Sequence, residues 1–212
     1  MPGLPIFDNH DSRIRYYELL LERPLAKIPH YDLPAGYHFA HYKDGDRGAW
    51  VAIEQSAKEF QSAVQGREAW DRYYLGREEE LAARMVFVVT DSGEKVATAT
   101  AFYNIHAKDD PATGWLHWVA VKRSHQGRGL SKPLLSHTFT IMKALGYTHA
   151  KIPTQTTTWL ACKIYLDFGF LPIPQNAVNS AGGWRIIKRL TGHPALSAFD
   201  CAADGEVLAD GL

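Results

Sequence analysis

Apolar positions recur along this chain at two spacings, and an element begins or ends where the spacing changes. From about Glu54 to Arg84, Phe60, Val64, Trp70, Tyr73, Tyr74, Leu75 and Leu81 fall at the intervals of a helix face. Breaks at Gly66 and Gly76 predict two helices rather than one. Met85–Thr90 is an apolar run, Asp91-Ser-Gly-Glu-Lys95 a turn, and Val96–Tyr103 a second run, which together read as an antiparallel hairpin. Trp115–Val121 then predicts a strand, Leu130–Leu145 a helix stopped by Gly146, His149–Thr154 a strand, Thr158–Phe168 a helix and Trp184–Lys188 a last strand. Near the start, residues 12–22 read as a helix ended by Pro24, Pro29–Gly36 as a linker and Tyr37–Tyr42 as a short strand. After Arg189 there are four acids, no Lys or Arg and little periodicity, the pattern of a mobile or peripheral extension.

These elements divide the chain into an N-terminal helical extension and linker (1–36), a mixed α/β domain (37–190) and an acidic C-terminal tail (191–212). With 212 residues, 46% of them hydrophobic, the chain can bury a full core. No apolar run approaches the roughly 18 residues that cross a bilayer, and Met1-Pro-Gly-Leu-Pro lacks the pattern of a secretory signal. Two cysteines are too few for a disulfide framework and suit a reducing compartment. The expectation is a soluble cytoplasmic protein with no membrane partner.

Charge changes the picture in one place. The chain is neutral, with 23 basic and 23 acidic residues, yet the 56 residues from Pro111 to Leu166 contain no Asp or Glu and carry seven Lys and Arg. Residues 1–110 hold 13 basic against 18 acidic residues, so the basic block is local. A solvated basic face is one reading; an electropositive face for a small polyanion is the other. Overall neutrality argues against bulk nucleic-acid binding.

Within that block, a strand runs through Lys122-Arg-Ser-His-Gln-Gly-Arg-Gly129 into a helix. Backbone N–H groups at a helix N-terminus lack intrahelical partners, and the helix dipole adds positive potential there. Gly127 and Gly129 would let a ligand approach the backbone, and Lys122, Arg123, Arg128 and Lys132 surround the turn. The combination favours a phosphate-bearing ligand.

Gln126-Gly-Arg-Gly129-Leu-Ser131 resembles the acyl-CoA motif of the GNAT superfamily, the acyl-CoA-dependent N-acyltransferases: Gln or Arg, two residues, Gly, one residue, Gly or Ala. Ser131 departs from the last position. A second signature of that family, Asn, two residues, Ala, three residues, Tyr, three residues, Gly-Phe, is matched by Thr158, Ala161, Tyr165 and Gly169-Phe170, with Thr158 replacing Asn. The resemblance covers about residues 37–190. It implies an α/β fold, more closely α+β: a mixed, mostly antiparallel central sheet of about six to seven strands, splayed at the CoA site and flanked by helices. It implies acetyl-CoA as cosubstrate, a small-molecule or peptide primary amine as acceptor, and direct attack of that amine on the thioester. A homodimer is compatible with it. A non-catalytic acyl-CoA-binding or regulatory module on the same fold is the alternative.

The resemblance also distributes roles. Gln126, Gly127, Arg128, Gly129, Leu130, Ser131 and Lys132 would hold the pyrophosphate, chiefly through backbone N–H groups. Val119, Ala120 and Val121 would meet the pantetheine, the N–H of Val121 or its neighbour polarising the thioester carbonyl. Thr158 and Ala161 belong to the second motif. Tyr165 stands at the family's general-acid position: a phenol, with an ordinary pKa of about 10, is neutral at pH 7 and can protonate a departing thiolate. A core tyrosine on an amphipathic helix is the other reading. Many members carry a Glu at a position that maps near Trp115, and no carboxylate exists here between 111 and 166. Leu116-His117 with Ala120-Val121 and Arg123-Ser124 resembles arylalkylamine N-acetyltransferases, in which a strand histidine accepts a proton through water. His117 is therefore the candidate base, with a buried hydrogen-bonded histidine as the alternative.

Other chemistry finds no support. The ten histidines and two cysteines show no metal spacing, no nucleophile elbow or phosphate-binding Lys-Ser/Thr loop occurs, and Cys162 reads as packing. For the acceptor, Trp70, Tyr73, Tyr74, Tyr103, Asn104, Trp115 and Trp118 are candidate lining residues or core aromatics. Glu78, Glu79 and Glu80 could attract a cationic amine, or form a solvated helix face, which is the preferred reading.

Overall fold

The computed structural model describes residues 4–106, 110–173 and 180–210. The chain divides into two compact units, one formed by residues 24–150 and one by residues 1–23 with 151–212.

In the unit of residues 24–150, β2 (Tyr37–His41), β3 (Met85–Thr90), β4 (Lys95–Phe102) and β5 (Thr113–Val121) form an antiparallel meander in that order. The Asp91–Glu94 turn joins β3 to β4 as the hairpin reading requires, with Gly93 at φ 88°. Side chains alternate between the two faces of a strand, so registry fixes what lies beneath each helix. Phe87 pairs with Thr98, and Thr98 with Ala120; Thr100 pairs with His117 and Phe102 with Trp115. Those residues share one face. Against it pack α1 (Arg47–Ser56) and α2 (Ala63–Tyr74), whose Trp50, Ile53, Trp70 and Tyr74 are buried with Met85, Phe87, Val89 and Phe102. Each such side chain contributes about 1.5–3 kcal/mol on burial. The opposite face presents Val86, Val88, Ala97, Ala99 and Ala101, and small alanines let α4 (Ser131–Ala144) lie close to β4.

Three helices, not two, occupy the stretch before β3: α1, α2 and α3 (Glu78–Arg84). Gly66 does not break α2. It lies inside it, buried, where a Cβ would stand 2.8 Å from Val51 Cγ1, so it lets α1 and α2 approach. Gly76, at φ 76°, does separate α2 from α3.

In the other unit, β6 (His149–Gln155), β1 (Glu18–Pro24) and β7 (Leu171–Pro172) lie in that order, with Leu21 and Glu22 of β1 antiparallel to Pro172 and Leu171. The helix expected over residues 12–22 is thus a strand over its second half. Leu19, Leu21 and Arg23 are buried and their neighbours are not, the two-residue period of a strand. α5 (Trp159–Asp167) follows β6 through a 3-10 turn at Thr156–Thr158. The strand expected at Trp184–Lys188 is part of a helix, α6 (Ala181–Thr191). Its two glycines let the helix lie close to Tyr17 and Leu19. A Cβ at Gly183 would stand 2.7 Å from Tyr17 Cβ and 2.9 Å from Leu19 Cδ2, and at Gly182 2.8 Å from the Tyr17 hydroxyl.

The C-terminal residues carry structure the sequence did not suggest. Helix α7 (Asp204–Val207) sets Val207 in a cluster with Ile14, Ile186 and Ala202, and Ile14 bridges to Leu208. The tail's acids find partners in that unit: Asp204 with Arg189 at 2.6 Å, Glu206 with Arg185 at 3.1 Å, and Asp210 with Arg15 at 2.6 Å. Low periodicity hid a segment held by a few buried side chains and complementary charge. The α/β class and the seven strands among the described residues agree with the expectation of about six to seven.

Candidate active site

The turn between β5 and α4 is built by side chains that fix its backbone. Gln126, expected to meet a ligand, donates its side-chain amide to the Val121 carbonyl at 3.0 Å and so ties the turn to the strand end. Arg123 N–H donates to Ser56 Oγ at 3.0 Å, joining the turn to the last residue of α1. Arg128 donates to the Tyr37 hydroxyl at 3.1 Å and to the Ser124 carbonyl at 3.0 Å, and Tyr37 shares a 3.0 Å hydrogen bond with His125. Tyr37 is a clamp that sequence reasoning missed, because nothing in a strand's first residue announces a partner 88 positions away.

Gly127 and Gly129 stand at φ 75° and 78°, a region that L side chains rarely adopt. No heavy atom lies within 4 Å of the position a Cβ would take at Gly127; at Gly129 only Pro34 does, at 3.9 Å. Both glycines, with Arg128, are exposed. Leu130, also expected in the site, is buried, anchoring the start of α4. Among the described residues no side chain caps α4, and its first turn holds no acid. Ser131 and Lys132 therefore open the helix at an uncompensated dipole end, and Lys132 Nζ lies 5.5 Å over the Tyr31 ring.

The acid-free stretch is less bare of acids in space than in sequence. Glu94 of the β3–β4 turn pairs with Lys122 at 2.9 Å and lies 3.9 Å from His125 Nε2.

β5 is irregular where the thioester would be expected. Thr98 pairs with Ala120 and Thr100 with His117, so β5 carries one residue more than β4 between the pairs. That is a β-bulge. Trp118 takes φ 51°, which costs a non-glycine residue roughly 1–2 kcal/mol. The extra residue turns Trp118 toward the same side as His117: its ring lies 5.5 Å from Trp50, 5.3 Å from Phe60 and 5.3 Å from Tyr73. No glycine marks the bulge in sequence. Val119 and Val121 flank buried Ala120 on the strand and are half-buried.

His117 is buried, its ring edge-on to Tyr73 at 5.5 Å and tilted against Phe102 at 5.5 Å. Among the described residues its Nδ1 has no hydrogen-bond partner. Burial, with His106 nearby, lowers its pKa to about 4, so the imidazole is neutral through the physiological range. The acceptor candidates separate into two kinds. Trp70 and Tyr74 are fully buried core, with the Tyr74 hydroxyl donating to Thr100 at 3.1 Å, whereas Tyr73, Tyr103, Trp115 and Trp118 are half-buried. Glu80, read as solvated, accepts from the Tyr103 hydroxyl at 3.0 Å and pairs with Arg84 at 3.2 Å.

The second motif lies in the other unit. Thr158 spends its hydroxyl on the Gln155 carbonyl at 3.1 Å and shares a 3.2 Å bond with Thr154; Ala161 is half-buried on α5. Tyr165 is buried. The Tyr-to-Gly-Phe spacing is a Schellman helix end: Gly169 N–H donates to Leu166 at 2.8 Å, Phe170 N–H to Tyr165 at 3.1 Å, and Gly169 takes φ 82°. The apolar contact that accompanies such an end is the Tyr165 ring on Phe170, 6.4 Å apart. Cys162 is buried, which pushes its thiol well above the usual range and fits packing. Among the described residues no group of His, Cys, Asp or Glu could hold a metal, and no helix is long and apolar enough to cross a membrane.

Residues 13–170 match the acetyltransferase (GNAT) family. Similar folds include a GCN5-related N-acetyltransferase from Sphaerobacter thermophilus (TM-score 0.52, 20% identity, 68% of this chain and 43% of that one). A GNAT-family acetyltransferase from Novosphingobium aromaticivorans is also similar (TM-score 0.51, 18% identity, 76% and 62%). So is a tandem GNAT protein from the clavulanic acid biosynthesis pathway (TM-score 0.51, 18% identity, 81% and 58%). The chain spans less than two thirds of each of these structures. No curated protein sequence matches.

Proposed function

Since the chain belongs to the GNAT acetyltransferase family, we propose that it is an N-acyltransferase moving an acetyl group from acetyl-CoA to a primary amine by direct attack on the thioester. The observation that carries this is the entrance to α4: two glycines at positive φ, open space beside Gly127, and an uncapped helix end without acids. That cradle fits a pyrophosphate. Backbone N–H groups from Gly127 to Ser131 would hold it, with Lys132 adding charge; charge-assisted hydrogen bonds contribute about 1.5–3 kcal/mol each. Arg128 serves the same site through its clamp on Tyr37 and Ser124. Thr158 and Ala161 are assigned to the donor site by the second motif alone.

Acetyl-CoA supplies the activated acyl group; the remaining chemistry is proton movement. An ammonium substrate loses two protons, one before it can attack and one as the C–N bond forms, and the departing thiolate gains one. His117, neutral in its aromatic surroundings, is assigned the second nitrogen proton. Tyr165 is assigned the proton given to the thiolate. Val119–Val121 of β5 are assigned to the pantetheine, with the Val121 N–H or its neighbour polarising the carbonyl.

The test is thiol release from acetyl-CoA over a panel of primary amines. Release with at least one amine, reduced about a hundredfold or more in Tyr165→Phe and His117→Ala, is the expected result. CoA binding with no release from any amine would replace the enzyme by an acyl-CoA-binding module.

A further inference from the structure

Helix α1 ends in the same way as α5, but with different side chains at the paired positions. Lys58 N–H donates to the Gln55 carbonyl at 3.0 Å and Glu59 N–H to the Glu54 carbonyl at 3.1 Å, the two hydrogen bonds of a Schellman end. Lys58 occupies the left-handed position at φ 71°, where Gly169 stands in α5 and where a lysine is strained. The two positions that this motif brings side by side hold Tyr165 and Phe170 in α5. In α1 they hold Glu54 and Glu59. Two carboxyls thus occupy the place of an apolar contact.

The surroundings of Glu54 are short of partners among the described residues. Glu54 is 1% exposed, and neither of its carboxyl oxygens has a hydrogen-bond partner among the described residues. One turn earlier, on the same face of α1, Trp50 Nε1 is buried and unpartnered. Thr98 Oγ1 is likewise buried and unpartnered, on the face of β4 that α1 covers. Buried polar atoms are rarely left unsatisfied, and a group of them marks a place for water or a ligand. Glu59 is only half-buried, which gives the pair a route to solvent. The donor turn is adjacent, through the hydrogen bond from Arg123 N–H to Ser56.

We propose that Glu54 and Glu59 form the site that receives the acceptor's ammonium group and takes the first of its two protons. This rests on the acyltransferase reading and narrows it to amines that bind as cations. Burial pushes the Glu59 carboxyl up to about 7, and burial with Glu59 nearby raises Glu54 further from its ordinary value. At neutral pH Glu54 keeps its proton and Glu59 is about half ionised, so the pair carries about half a negative charge, because two adjacent carboxylates cannot cheaply ionise together. In the step, an N–H bond of the ammonium breaks, its electron pair stays on nitrogen, and the proton forms an O–H bond on the Glu59 carboxylate. The proton then leaves to solvent along the half-exposed side of Glu59. His117 takes the nitrogen's second proton as the C–N bond forms.

The cations Lys58, between the two carboxyls in sequence, and Arg123, whose N–H meets Ser56, also lie at this end of α1. Tyr74 of α2 is buried and bonded to Thr100, and His117 of β5 is neutral. Toward the first turn of α1, Arg47 pairs with Asp71 of α2, and Lys95 of β4 pairs with Asp46.

The experiment titrates carboxyl ¹³C signals of labelled Glu in the full chain, with and without 2-phenylethylamine, beside CoA calorimetry on the same samples. The proposal expects the amine to bind, the Glu59 midpoint to fall when it does, and Glu59→Gln and Glu54→Gln to weaken amine binding by about tenfold or more. CoA binding should be unchanged in both variants, and Glu59→Asp should recover part of the amine affinity. In thiol release, the acid limb of kcat/KM near pH 7 should disappear in Glu59→Gln. Failure of the amine to bind, or equal binding by wild type and both Gln variants, overturns the carboxyl pair while CoA binding and release leave the acyltransferase reading standing. Absence of CoA binding in the wild type overturns the acyltransferase reading instead.

Discussion

Glu59 and His117 should push the stability of the fold in opposite directions with pH. Glu59 titrates near 7 in the fold against 4.5 ordinarily, and His117 near 4 against 6.5. For the carboxyl, the raised value means that the folded state keeps a proton the unfolded chain has released. Its stabilisation is complete below about pH 4.5 and is lost as pH rises to 7. For the imidazole, the lowered value means that the unfolded chain takes a proton the fold refuses, so its contribution is complete above about 6.5 and is lost as pH falls to 4. The two and a half pH units in each case, at about 1.4 kcal/mol apiece, amount to about 3–4 kcal/mol. The figure for Glu59 is smaller by whatever share of the charge water still screens. In the wild type the two terms largely cancel between pH 4.5 and 6.5, and substitution exposes them. Urea unfolding at half-unit pH steps is the assay. Relative to wild type, Glu59→Gln should gain up to about 3–4 kcal/mol as pH rises from 4.5 to 7, and His117→Gln should gain about 3–4 kcal/mol as pH falls from 6.5 to 4. Differences that stay constant across those windows would refute both the burial argument and the signs.

Other consequences follow from the geometry. Gly183→Ala should destabilise by about 1–3 kcal/mol in denaturant melts, because its Cβ would meet Tyr17 and Leu19 at 2.7 and 2.9 Å. Gly127→Ala should cost about 1–2 kcal/mol from its φ of 75°, and calorimetry should show a further loss of CoA affinity if the ligand approaches that backbone. Tyr37→Phe, which removes the hydroxyl that Arg128 and His125 share, should weaken CoA binding several-fold with stability changed by about 1 kcal/mol. Tyr165→Phe should keep the Phe170 contact and stability while thiol release falls about a hundredfold.

The turn before α4 was legible because its signal is local: two glycines, a run of cations and a following helical period are all adjacent in sequence. The proposed acceptor site was not, since the residues assigned to it gather from α1, α2, β4 and β5. Glu54 did leave a trace. It stands four residues after Trp50, on the apolar stripe, where an acid is out of place. Short apolar runs failed for a different reason. Glu18-Leu-Leu-Leu-Glu22 and Trp184-Arg-Ile-Ile-Lys188 fit either period, so tertiary packing, in which Tyr17 and Leu19 lie against Gly182 and Gly183, is not visible in them. The bulge at Trp118 carries no glycine to reveal it, and the tail's order depends on pairs such as Arg189 with Asp204 that only folding creates.

If the turn between β5 and α4 binds CoA, calorimetric titration of the chain with CoA, ATP and NAD will show it. CoA should bind at least about tenfold more tightly than either nucleotide, with the preference reduced in Lys132→Ala; tighter binding of ATP or NAD than of CoA would contradict the account.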